Sequence, residues 1–149
     1  MSGVTVRVDN REVAELVGGI VRRGGNLEPA MAIIGATVQA SVQRNFESGG
    51  RPGKWAPLSP VTLKKKPNTK VLVVKGYLGG LLGSVHYEAG GSRVEIGTDK
   101  MYGAIHQFGG MAGRGRKVRI PARPFLLVQD EDWVEIHGAL LDYYLGGKE

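Results

Sequence analysis

The sequence predicts an α+β fold, with three main helices packed on a small antiparallel sheet and with extended loops and a basic arm beside them. Three observations carry this. Apolar residues recur every three or four positions in three stretches, residues 10–23, 27–46 and 130–144. Two short β-branched segments flank a glycine-rich turn between residues 84 and 97. Glycine and proline gather around residues 49–60 and 109–124, which favours loops there.

Between Asn10 and Arg23, the residues Val13, Leu16, Val17, Ile20 and Val21 fall on one helix face. Asp9 and Glu12 have the spacing of a capping box, in which each side chain satisfies a backbone donor at the helix start. Gly18 and Gly19 each weaken the middle by about 1 kcal/mol relative to alanine, so this helix depends on packing. The second helix is the clearest element. Leu27, Met31, Ile34, Val38, Val42 and Phe46 form its stripe, Pro29 is accommodated in the first turn, and Gly49 with Gly50 ends it. "RPGKWAPLSP" then reads as an extended loop with Trp55 as an apolar anchor. Ser59 before Pro60 starts a short helix, "PVTLKKK", which Pro67 terminates.

The run Val71 to Val74 predicts a strand, and "GYLGGLLGS" a glycine-weakened helical turn with Leu78, Leu81 and Leu82 on one face. "SVHYE" and "RVEIG" around "AGGS" predict an antiparallel hairpin over Ser84 to Gly97. Asp99 can cap a short helix in which Tyr102, Ile105 and Phe108 face the core, while His106 and Gln107 face the other way as hydrogen-bonding groups. Gly109 and Gly110 end it. "GGMAGRGRK" has too many glycines and positive charges to order itself by burial, so mobile loops are expected at about 49–58 and 109–117 within one domain spanning 1–149. "VRIPARPFLLV" resumes an extended course, in which Pro121 and Pro124 argue against a central strand. The last helix starts at about Asp130, where "DED" suits the positive end of the helix dipole and Trp133, Ile136, His137, Leu140, Leu141 and Tyr144 turn to one side.

The net charge of +6 is unevenly distributed. Residues 51–75 carry seven basic and no acidic side chains, residues 100–123 six basic and none acidic, and residues 124–149 one basic and six acidic. With no cysteine, disulfides, thiolate metal sites and a cysteine nucleophile are excluded. No charged leader precedes an apolar stretch, and no apolar run reaches the roughly 20 residues that span a bilayer, so neither secretion nor a membrane partner is expected.

Catalysis finds no credible residue set. His86, His106 and His137 fall on separate elements without metal-ligand spacing, no "GxSxG" elbow is present, and serines 59, 84 and 92 sit at a helix cap, a strand start and a turn. The glycine-rich segment lacks the "GKS" or "GKT" ending of a phosphate loop. No cofactor is expected. Nucleic-acid binding is the stronger rival, because "LKKKPNTK" and "RGRKVRIPAR" supply cations suited to phosphates; Lys64, Lys65, Lys66 and Lys70 are the candidates for contact with DNA or an acidic partner. Aromatic residues do not interleave with these runs as a stacking platform requires.

Four blocks in order, "GGRPGKWAPLSPVTLKKK", "GYLGGLLGSVHYE", "YGAIHQFGG" and "IPARPFL" before an acidic helix, resemble the virion morphogenesis or tail completion proteins of Mu-like and P2-like tailed bacteriophages, over about residues 46–145. The resemblance implies a structural, non-enzymatic virion protein at the tail or the head–tail junction, assembled in the bacterial cytoplasm. It also implies a ring around the DNA channel, hexameric where it matches the tail tube, with tail-tube and connector proteins as partners and non-specific contact with genomic DNA. In such a ring a basic segment of one copy can meet an acidic helix of the next. The candidate interface residues are then Arg114, Arg116, Lys117, Arg119 and Arg123 on the arm, with Asp130, Glu131 and Asp132 on the last helix. Tyr102, His106, Gln107 and Phe108 complete the set.

Overall fold

The computed structural model describes residues 10–22, 25–65, 71–73 and 80–146. Helix α1 (Arg11–Arg22) is capped by Asn10, whose Oδ1 accepts from the Val13 amide at 3.0 Å. Asp9, the expected cap, lies outside the described residues. Helix α2 (Glu28–Ser48) is the spine, and its buried side runs from Ala30 and Met31 through Val38 and Val42 to Phe46. It ends where Gly49 takes φ 76° and returns its N–H to the Asn45 carbonyl, a left-handed turn that glycine makes without a Cβ clash.

On one side α2 carries the hairpin of β1 (His86–Ala89) and β2 (Val94–Gly97), paired from His86 opposite Gly97 to Ala89 opposite Val94. Contact is close because Gly35 has no side chain: a Cβ there would lie 2.3 Å from the Tyr87 ring. Helix α6 (Asp130–Leu141) also packs on α2 and continues as a wide turn over Asp142–Gly146, while α1 packs against α6. The α+β expectation therefore holds, with a second two-stranded sheet beside the first. Phe46 is the centre of the aromatic core, edge-on to Trp55 at 5.5 Å and tilted against Phe125 at 5.6 Å. Trp55 is the anchor its loop requires, and its Nε1 donates to the Pro124 carbonyl.

The short helices α3 (Pro60–Lys65) and α4 (Gly80–Ser84) stand where expected. Ser59 Oγ accepts from the Thr62 amide, and Leu81 and Leu82 are buried; Leu78 is outside the described residues. Three expectations are corrected. Val71 and Leu72 form a turn, Leu72 having φ 62°, and Val73 is buried in the core without a ladder, its β-branched side chain serving burial and not pairing; Val74 lies outside the described residues. Helix α5 (Gly103–Phe108) begins at Tyr102 with no side-chain cap, so Asp99 does not hold its start. The glycine-rich stretch is not an irregular loop: β3 (Gly110–Ala112) and β4 (Val118–Ile120) pair as an antiparallel ribbon. Positive φ at Gly113 (79°), Gly115 (70°) and Arg116 (52°) turns the chain at its tip, so the glycines shape a hairpin where composition suggested disorder. Among the described residues no helix is long and apolar enough to cross a membrane.

Candidate assembly surface

The surface is built on residues 123–126, a segment that belongs to no helix or sheet and bends at Leu126. Buried backbone groups need partners, and here side chains replace the missing strand. Gln107 Oε1 accepts from the Phe125 and Leu126 amides, both at 3.0 Å, and its Nε2 donates to the Leu126 carbonyl at 3.1 Å. Asn45 Nδ2 donates to the Phe125 carbonyl at 2.9 Å, and the Arg123 amide donates to the His106 carbonyl at 2.7 Å.

This reverses the expected facing of α5. Gln107 is 5% exposed and points inward, whereas Phe108 is 66% and Tyr102 45% exposed. Satisfying three buried backbone groups outweighs burying one ring, because each group left unpaired costs about 1–3 kcal/mol. His106 is half-buried, edge-on to Tyr102, and its Nδ1 is buried without a partner among the described residues. Burial first, and then the nearby Arg123 guanidinium, holds the imidazole below its usual 6.5. The folded chain thus prefers the neutral ring, and the unfolded chain takes up a proton first as pH falls. The contribution to stability is complete above about 6.5 and is lost as the pH drops toward the lower folded value. Urea midpoints should therefore fall between about pH 7 and 5. The His106→Phe variant should lose part of that slope; an unchanged slope would place the ring in solvent.

Arg123 is a second correction. Its side chain is buried within the subunit, where Nε donates to the Ala56 carbonyl and Nη2 to the Pro57 carbonyl, each at 2.9 Å, and burial lowers its pKa. It clasps the loop before α3 to the segment after β4. Asp132 is the third correction: fully buried, it accepts from Ser41 Oγ at 2.5 Å and from the Gln129 amide at 2.7 Å, and lies 3.5 Å from Arg44. Gln107, Arg123 and Asp132 are consumed inside one subunit, since their hydrogen-bonding groups are the partners that irregular backbone and helix ends need.

Glu131 pairs with Arg51 at 2.6 Å, while Asp130 is exposed with no ion pair to a described residue. Arg51 was not singled out by sequence reasoning, yet its guanidinium also reaches Asn45 Oδ1, the Ser41 carbonyl and Ser41 Oγ. The available signal was the pair Ser41 and Asn45, two polar residues four apart beside the apolar stripe of α2.

What remains on the outside is the ribbon. Arg114, Arg116, Lys117 and Arg119 are all exposed and form no ion pair with a described residue. Met111 and Val118, on the same strands, are 51% and 54% exposed, and Met101 just before α5 is 93% exposed. Lys64 and Lys65 are exposed on α3; Lys66 and Lys70 lie outside the described residues. His86, His106 and His137 stand on β1, α5 and α6, and the described residues hold no group of three or more His, Cys, Asp or Glu side chains able to bind a metal ion.

The family model for the phage virion morphogenesis family matches residues 8–144. The chain is 34% identical over 142 residues to the Mu-like prophage FluMu G protein 2 of Haemophilus influenzae, covering 95% of this chain and 96% of that protein. No solved structure matches. Nearly the whole chain is spanned by both likenesses, including α2, the α5 clamp and the ribbon, and it belongs to the phage virion morphogenesis family, with a structural role in building the virion.

Proposed function

We propose that the chain completes the tail or joins it to the head, as a closed ring of copies around the channel that carries DNA. A ring of six matches a sixfold tail tube, and the adjoining proteins are those of the tube and the head–tail connector. Assembly takes place in the host cytoplasm, and the finished ring stays in the virion. Besides the family, the observation that carries this reading is the ribbon, which presents four cations unpaired with any described residue beside exposed Phe108, Met111 and Val118. An exposed surface mixing apolar side chains with unpaired charge is the kind that another protein covers. Tyr102, His106 and Phe108 border it on α5, and Asp130 and Glu131 on α6 supply the opposite charge for a neighbouring copy. Electron micrographs of particles made without this protein test the reading. Heads without tails beside finished tails are expected; complete particles would contradict it.

One observation favours a second reading, a basic accessory protein that binds DNA. Arg123 ties the approach to α3, with Lys64 and Lys65, to the end of β4, so both basic elements leave the body near one point. That reading requires duplex affinity in the monomer that falls steeply with salt.

A further inference from the structure

The exposed parts of α5, the ribbon and α6 have complementary character. Met111 is opposite Arg119 in the ribbon register, so the two share a face. With Phe108 they line an open groove of about 490 Å³, to which Gly109, Gly110 and Ala122 contribute little or no side chain. An apolar lining thus lies beside the cationic tip of the ribbon. On α6 the side away from the core carries Val134, 75% exposed, and one turn on Gly138, where an added Cβ would meet nothing within 4 Å. Around this bare apolar strip stand Asp130 one turn before and Asp142 one turn after Gly138, neither paired with a described residue, and beside them Glu131 and Glu135, exposed but already paired with Arg51 and Arg44 of the same subunit.

We propose that the groove between α5 and the ribbon receives the Val134–Gly138 face of α6 from a second copy of this chain. The proposal rests on the reading of the protein as an assembling ring component and names the surfaces by which copies meet. Val134 enters between Phe108 and Met111, Gly138 lets the helix approach closely, and the acidic rim meets Arg119 and the tip cations. A ribbon set on another ribbon, or α6 on α6, would oppose like charges, so the contact is heterologous and propagates head to tail into a ring. Duplex DNA would satisfy the cations but leave Phe108 and Met111 uncovered.

The test uses the full chain and two substitutions at exposed positions, Met111→Asp in the groove and Val134→Lys on the helix, with circular dichroism to show that each variant folds. Light scattering should give the wild type a mass above that of a dimer, reduced by salt. Each variant alone should be a monomer. An equimolar mixture should assemble again, because the intact groove of one variant meets the intact α6 of the other and the remaining junction pairs Asp with Lys. Folded variants that assemble like the wild type, or that stay monomeric when mixed, would overturn the proposal while leaving the ring reading to the particle experiment. A wild type that stays monomeric at millimolar concentration would overturn it and count against the ring itself. Assembly indifferent to both substitutions, with a ribbon that holds duplex DNA, would overturn it in favour of a nucleic-acid face.

Discussion

Replacing Gln107 with leucine is expected to destabilise the subunit by about 4 kcal/mol, at nearly unchanged side-chain volume. The substitution keeps the packing and removes all three hydrogen bonds to Phe125 and Leu126. Two amides and one carbonyl are then left buried without partners, at about 1–3 kcal/mol each, with some relief as water enters. For a chain of this length that corresponds to a melting temperature lower by about 8–16 °C. Phe108→Ser, one residue on, removes a ring that is already 66% exposed and should change stability by less than about 0.5 kcal/mol. If α5 faced the other way, the order of these two effects would be reversed, so calorimetry on the pair decides which side of the helix is inside.

The second large effect is expected at Asp132, where alanine should cost about 3 kcal/mol. The fully buried carboxylate joins α2 to the start of α6 by accepting from Ser41 Oγ and the Gln129 amide and by facing Arg44. Its removal takes the acceptor from Ser41 Oγ and the buried Gln129 amide and leaves Arg44 with Glu135 alone, so that a buried charged network is broken from its centre. Two residues earlier, Asp130 is exposed and only complements the helix dipole, so Asp130→Ala should cost less than about 1 kcal/mol. Urea unfolding of the two variants separates the roles. Equal midpoints would mean that the acidic turn acts as a dipole partner or an outward surface throughout, as "DED" alone suggests.

The sequence was most legible where one periodicity dominated. The stripe of α2, the Ser84–Gly97 hairpin, the Trp55 anchor and the start of α6 all follow from local patterns that agree with the tertiary packing. It was least legible where long-range hydrogen bonding overrode side-chain hydrophobicity. Phe108 is the more apolar residue, but Gln107 is the one that can satisfy the backbone of residues 125–126, and nothing within α5 signals that segment's need. Arg123 and Asp132 read as outward charges in the sequence for the same reason: their partners, at Ala56, Pro57 and Ser41, lie 66 to 91 residues away. The ribbon is hidden in the composition because glycine content, which usually argues against order, here supplies the positive φ values that a tight basic hairpin requires. Of the candidate interface residues, the four ribbon cations, Tyr102, Phe108 and Asp130 are left exposed, and Glu131 reaches the surface while paired to Arg51.

The most direct measurement is a cryo-electron reconstruction of the intact particle through its tail and the junction with the head. A closed ring of this chain is predicted there, with the ribbon of each copy against α6 of the next and DNA passing through the centre. Infectious particles in which this chain is nowhere present would contradict it.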